Sequence, residues 1–404
     1  MVIESILDTD LYKLTMQYAV WRWFPRLKVA YKLVQRSPIP FPEHFHSRVQ
    51  NELHSFSGIA LSPVERDYLE SLGWFPPPYL EFLQNYRFNP DQVSIGRSPS
   101  NQLEISVSGP WLETILWEVP LLALISELYF DSISSSTKTE RLQDQSVRKT
   151  ANKAEKLIRA GCRFSDFGTR RRFSRLHQHR VIEACLEAEE RIPDVPDRGT
   201  FSGTSNLDIA RKKGLPCVGT IAHEWFMAHS RISSLQLANR DALLRWLQAF
   251  HGRLSIALTD TYTTAFFLKS FDRVLAENFD GVRQDSGDPY GFVDRILDLY
   301  ENYSLDPREK TLVFSDGLDP DQAIAIQRYV GDRAQTAFGI GTNLTNDLDG
   351  IDPMDLVIKL DSVAGLPVCK LTDDPDKATG SLEERERCRH IVNTTLESLA
   401  SASS

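Results

Sequence analysis

The chain has 404 residues, of which 41% are hydrophobic and 25% charged, with 21 glycines and 21 prolines. These are ordinary globular values, which exclude collagen-like, coiled-coil and largely disordered chains and leave room for two or three domains, or for one (β/α) barrel with an added lobe. A net charge of −9 argues against a general nucleic-acid binder, whose phosphate contacts call for a basic surface, while local basic pockets for small anions stay open.

The five cysteines, Cys162, Cys185, Cys217, Cys369 and Cys388, are an odd number without a C-x-x-C pair, which speaks against a disulfide framework and a structural zinc site. The N-terminal MVIESILDTD carries acids where a secretory signal would carry Lys or Arg, and the apolar run from Pro120 falls short of a membrane span. A cytoplasmic protein with no nucleic-acid or membrane partner is expected. Low complexity is confined to the serine-rich stretches 132–136 and 401–404, which read as solvated chain.

In chain order, Leu11, Leu14, Tyr18 and Trp21 have amphipathic helical spacing, with Asp8 or Thr9 as cap. A strand-like VAYKLV follows, then a proline-rich stretch at 37–43 and a region to about Gly109 that carries no chemistry of its own. Leu112 to Tyr129 reads as a long apolar helix and Thr137 to Gly161 as a charged amphipathic one. Seven short β-rich runs then end in polar residues: CRFSDFG, GTFSGTS, PCVGTI, LSIALTD, FDGVRQDSGD, TLVFSDG and TAFGIGTN. Strands that end alike and alternate with helices predict an α/β fold, an irregular, incomplete (β/α) barrel of about seven strands spanning residues 116–349. Residues 1–115 form an additional N-terminal α+β lobe, joined by the C-terminal segment 350–404.

The strand ends carry the candidate chemistry. In TAFGIGTN, Gly339 and Gly341 let backbone approach an anion and Thr342 adds donors, although a tight strand-to-helix turn needs the same glycines. The triplet Arg170-Arg171-Arg172 suits a diphosphate through planar bidentate pairing; as a plain charge run it would be solvated surface. Arg283 and Asp285, two residues apart on one strand, share a face where an arginine holds a carboxylate and an acid holds ribose hydroxyls, a ring nitrogen or Mg²⁺. An internal ion pair explains them too, and Asp288 reads equally as a helix cap. Asp260 and Asp316 repeat the pattern of one acid closing an apolar run. His223, just beyond PCVGTI with Thr220 three residues upstream, is either a hydrogen-bonded structural histidine or a nucleophile toward a phosphoryl group. His229, deeper in the following helix, reads as structural.

DTDLYKLTMQYAVW, FGTRRRFS, GTSNLDIARKKGLPCVGTIAHEW, ALTDTY, GVRQDSGDP, VFSDGLD and FGIGTNLTND, in this order over residues 8–347, resemble the nicotinate phosphoribosyltransferase family, with its type II phosphoribosyltransferase-like barrel. The resemblance implies that nicotinate and 5-phosphoribosyl 1-diphosphate give nicotinate mononucleotide and diphosphate, with Mg²⁺ and with ATP as co-substrate, in NAD salvage. It makes His223 a catalytic residue that is transiently phosphorylated and sets Asp285 beside ring and ribose. Arg283 would hold the nicotinate carboxylate, with Thr220 along the pyridine pocket and Tyr12 stacked on the ring from the other subunit of a homodimer. Arg170 would face the diphosphate, Asp316 the ribose hydroxyls, and Gly341 and Thr342 the 5-phosphate. A nicotinamide- or quinolinate-using relative would not keep the whole GTIAHEW and GVRQDSGD set. A glycosidase using Asp285 and Asp316 would leave the arginines and G-x-G-T without a role. A non-catalytic NAD-metabolism sensor would not need polar residues at every strand end.

Overall fold

A computed structural model describes residues 2–36, 38–99, 102–133, 136–193 and 195–402. Two sheets organise the chain. Strands β1 (Lys28–Gln35), β2 (Val93–Arg97), β3 (Leu103–Pro110), β10 (Leu356–Val363) and β11 (Leu366–Pro367) form an antiparallel sheet in the order β11-β10-β1-β3-β2. Its centre pairs the two ends of the chain, with Tyr31 opposite Leu360 and Leu33 opposite Ile358. Strands β4 (Arg163–Asp166), β5 (Thr200–Thr204), β6 (Ile256–Leu258), β7 (Gly281–Gln284), β8 (Thr311–Phe314) and β9 (Gln335–Ile340) form an all-parallel sheet in the order β5-β4-β9-β8-β7-β6. Val282, Leu312, Phe314, Phe338 and Ile340 are buried, as expected of parallel strands covered by their crossover helices.

Six of the seven anticipated runs are strands of this sheet. PCVGTI is not: Cys217 makes one isolated parallel bridge to Thr204. Backbone pairing with β5 stops after Thr204 N–H to Pro216 O and Val218 N–H to Thr204 O, and the Thr220 hydroxyl further on accepts from Arg283.

Two helical expectations also change. The helix Leu11–Trp23 buries Lys13, Thr15 and Gln17 along with its leucines, so it is an interior element rather than an amphipathic surface one. Asp10 occupies its cap position without capping it, because its carboxylate accepts from Ser205 Oγ at 2.7 Å, while Asp8 is committed to Arg172. The apolar run after Pro110 is one helical turn (Trp111–Thr114), a 3₁₀ turn (Ile115–Trp117) and a helix, Glu118–Ile133. The charged run is the helix Ser136–Arg159. The serine-rich stretch 132–136 includes residues 134 and 135, and the tail includes 403 and 404, all outside the described residues.

Glycines bring the strand-end loops together. A Cβ on Gly168 would lie 2.0 Å from Thr345 Oγ1, and one on Gly339 would lie 2.5 Å from the Phe167 ring. The loop after β4 and the loop after β9 therefore interlock, fastened by Phe167 N–H to Ile340 O at 2.8 Å and by Asn346 Nδ2 to Arg171 O at 2.7 Å. Gly339 packs against Phe167 and also lines the cavity described below. No helix among the described residues is long and apolar enough to cross a membrane.

Candidate active site

The parallel strands end around a cavity of about 200 Å³ whose wall is completed by β10 and by the start of helix Leu11–Trp23. Arg283, on β7, reaches across to the segment that failed to become a strand and donates through a terminal guanidinium nitrogen to Thr220 Oγ1. A second terminal nitrogen lies 3.4 Å from Asp285 Oδ2. Burial would raise the Asp285 carboxyl, but Arg283 and His223 hold it well below the usual carboxylate range, so it is ionised.

His223 begins the helix His223–Ile232. Its Nε2 is 2.9 Å from Asp285 Oδ2 and its Nδ1 is 3.1 Å from Thr261 Oγ1. Burial, then the ammonium of Lys370, push its pKa down to about 4, so the ring is neutral at physiological pH. Asp260 is no helix cap. It is fully buried, accepts from Ser286 Oγ and Thr372 Oγ1, and leaves its Oδ1 unpartnered 3.9 Å from His223 Nε2. Asp288 is a helix cap, accepting from the backbone N–H of Tyr290 and Gly291. Gln284 is buried and donates to the carbonyls of Ser286 and Gly287, holding the turn beyond Asp285. His229 is buried with Nδ1 on Trp225 O, a structural bond.

The arginine triplet divides. Arg170 and Arg171 line the cavity, whereas Arg172 is fully buried and makes a two-pronged pair with Asp8, at 2.7 and 2.8 Å. Gly341 and Thr342 also line the cavity. Tyr12 lines the cavity of its own chain, its hydroxyl 3.5 Å from Glu118 Oε2. The bridge between Asp10 and Asn206 carries the start of its helix to the end of β5 within one chain. Asp316 is not in the cavity wall; its carboxylate is turned to Lys377.

Two wall residues, Glu118 and Lys359, carried no signal in the sequence, nor did the buried lysines Lys13 and Lys370 beside the cavity. Glu118 accepts from Arg170 at 3.2 Å and pairs with the fully buried Lys13 at 2.6 Å; burial opposes but Lys13 and Lys359 hold its pKa near 2. Lys13 also pairs with Glu224, which in turn takes the Tyr31 hydroxyl and the Trp111 indole N–H. Lys359, projected from β10, has its pKa pushed down to about 7 by burial. Lys370 reaches His223 from behind. The two lysines sit in LVIKLD and VCKLTDD, where nothing in the spacing distinguishes them from edge-strand charges.

Two groups of three potential metal ligands occur among the described residues. In one, Cys369, Glu384 and Cys388, both carboxylate oxygens of Glu384 are already held by Arg231 and Arg387. In the other, His223, Asp260 and Asp285, the ammonium of Lys370 stands 3.1 Å from the ring nitrogen and opposes a cation. A cation there would need few protein ligands, Asp285 among them, if it brought other oxygen ligands with it.

The family model described as "Nicotinate phosphoribosyltransferase (NAPRTase) family" matches residues 162–396, and that of its N-terminal domain matches residues 7–126. The chain is 45% identical to a nicotinate phosphoribosyltransferase of Desulforapulum autotrophicum, covering 97% of this chain and 99% of that one. It is 39% identical to one of Methanosarcina acetivorans, covering 97% and 98%. A crystal structure of a nicotinate phosphoribosyltransferase from Porphyromonas gingivalis superposes with a TM-score of 0.90 at 36% identity, covering 97% of this chain and 100% of that one. With matches of this extent over both sheets, the chain belongs to the nicotinate phosphoribosyltransferase family of enzymes.

Proposed function

We propose that this enzyme joins nicotinate to 5-phosphoribosyl 1-diphosphate, giving nicotinate mononucleotide and diphosphate, and couples the step to hydrolysis of ATP to ADP and phosphate through a transient phosphohistidine at His223. The observation that supports this reading is the Arg283–Thr220 contact beside the His223–Asp285 pair, which puts a guanidinium and a neutral imidazole in one cavity. Arg283 binds the nicotinate carboxylate, Thr220 and Tyr12 flank the ring, and Asp285 faces ring and ribose. Arg170 takes the diphosphate, and Gly341 with Thr342 the 5-phosphate. Asp316 would reach the ribose only after release from Lys377.

The pyridine nitrogen attacks ribose C1 as diphosphate leaves, so most of the acceleration comes from positioning and from cationic groups around developing charge. Mg²⁺, held by the diphosphate and by Asp285, would neutralise the leaving group. The enzyme works in the cytoplasm in NAD salvage, as a homodimer. The parallel sheet with PCVGTI as an irregular seventh element is read as an incomplete barrel within 116–349, and residues 1–115 with 350–404 as the second lobe.

The test is formation of nicotinate mononucleotide from the two substrates with Mg²⁺, with and without ATP, on wild type and His223→Ala. Product that rises with ATP in wild type alone supports the whole reading. Product insensitive to ATP leaves the transferase and removes the phosphohistidine cycle; no product with nicotinate, but product with nicotinamide, overturns the substrate assignment.

A further inference from the structure

The charged helix Ser136–Arg159 has so far no part in the reaction, yet one of its faces is fastened to the loop that follows β9. That loop enters the cavity wall at Gly341, Thr342 and Asn343, and from Thr342 to Thr345 it forms one short helical turn. The carbonyls that end a helical turn find no N–H within it and have to be met from outside. Three donors meet them here: Lys153 Nζ at Asn343 O, Thr150 Oγ1 at Leu344 O (3.4 Å) and Phe173 N–H at Thr345 O (3.1 Å). The Asn343 side chain is tied as well, donating to Leu318 O at 3.1 Å.

Of these donors, Lys153 alone carries a charge. It does not line the cavity, and its side chain is 19% exposed. Asp347 Oδ2 accepts from the same ammonium at 2.7 Å, so Lys153 ties together two points of one loop, Asn343 and Asp347. With Asp347 beside it, the ammonium adds little net field for an anion in the cavity. What it supplies is a fixed place for the peptide between Asn343 and Leu344. Gly341, which has no side chain to anchor the loop and the widest backbone freedom, depends on such outside fastening. Neighbouring lysines of the helix make ion pairs without reaching a loop carbonyl, Lys149 with Asp349 and Lys156 with Asp321.

We propose that Lys153 is a positioning residue for the 5-phosphate end of the substrate: by holding the Asn343 carbonyl from outside the cavity, it fixes the turn at Gly341 and Thr342 on which that phosphate lies. This rests on the assignment of Gly341 and Thr342 to the 5-phosphate made above. Lys153 touches no substrate and acts only through the loop.

The experiment is steady-state kinetics of the full chain with nicotinate and phosphoribosyl diphosphate, using the two products, nicotinate mononucleotide and diphosphate, as inhibitors. Lys153→Met keeps the stem and removes the ammonium. It should raise KM for phosphoribosyl diphosphate and the inhibition constant of nicotinate mononucleotide about tenfold, as for a lost hydrogen bond to a charged group, with kcat and KM for nicotinate within about twofold. Inhibition by diphosphate, which lacks the 5-phosphate, should not change, and Lys153→Arg should recover most of the loss. Lys156→Met removes a charge one turn along the same helix and should leave every constant as in wild type. An equal effect of Lys156→Met, a loss shared by all constants, or a loss confined to diphosphate overturns the proposal. Should Lys153→Met fail to fold, Asp347→Asn, which releases the ammonium from the loop, carries the same split. Thr342→Val tests the phosphate assignment itself. Nicotinate mononucleotide weakened by Thr342→Val but not by Lys153→Met sinks the proposal alone; diphosphate weakened by Thr342→Val in place of nicotinate mononucleotide sinks the assignment and the proposal with it.

Discussion

Gly168 and Thr345 touch: the place a Cβ at 168 would occupy is 2.0 Å from Thr345 Oγ1, and that hydroxyl donates to Gly168 O at 3.1 Å. Arg170 lies two residues beyond, so the fit of these two residues sets where its guanidinium meets the cavity. Gly168→Ala should cost about 1–3 kcal/mol by overpacking and raise KM for phosphoribosyl diphosphate more than KM for nicotinate. Equal effects on both constants would show that the loop does not orient Arg170 specifically.

Asp8 and Arg172 are 1% and 0% exposed and meet through two parallel bonds, with Asn206 and Gln178 satisfying further atoms. Removing one partner strands a buried charge. Asp8→Asn should therefore lose about 3–5 kcal/mol of stability, read from the urea midpoint. A loss below about 1 kcal/mol would mean that water reaches Arg172 in solution.

Arg283→Ala should weaken nicotinate binding by about tenfold or more, the worth of a hydrogen bond to a charged group, while changing nicotinamide binding less. Competition by the two bases against product formation measures it. Equal losses would move the carboxylate receptor elsewhere, to Arg170 or Lys359.

Acid should destabilise the fold over the range in which unfolded histidine takes up protons. His177, His223 and His229 are each pushed from 6.5 to about 4, with burial the largest cause in each. Their folded values lie below the unfolded ones, so the unfolded chain binds protons first, and the stability they confer is complete above 6.5 and lost as pH falls toward 4. Relative to neutral pH, each costs the fold on the order of 2 kcal/mol at pH 5. Asp166, raised to about 6 by burial, acts with the opposite sign, costing stability at neutral pH and returning part of it on acidification. The urea midpoint should therefore fall between pH 7 and pH 5. A flat profile would show that the histidines are hydrated in solution.

The sequence by itself determined the parallel strands and their polar ends, because a short buried strand leaves a local signature: a few β-branched or aromatic residues, then glycine and polar residues where the chain must turn. It also marked Arg283, Asp285, His223, Arg170 and Thr342, since each lies near the end of, or a few residues beyond, such a strand or the segment before helix His223–Ile232. Only the tertiary structure decided which charges face the cavity. Arg171 and Arg172 are adjacent and chemically identical, yet one lines the cavity and the other is buried on Asp8, more than 160 residues away. Lys359 and Lys370 look like any strand-edge lysine until β10 pairs with β1 and the C-terminal segment crosses β6 and β7. Tyr12 likewise enters its own cavity because Asp10 bridges to Asn206. Local patterns record what each element needs to form, whereas the partner of a charge depends on contacts between segments far apart in the chain, which no local spacing encodes.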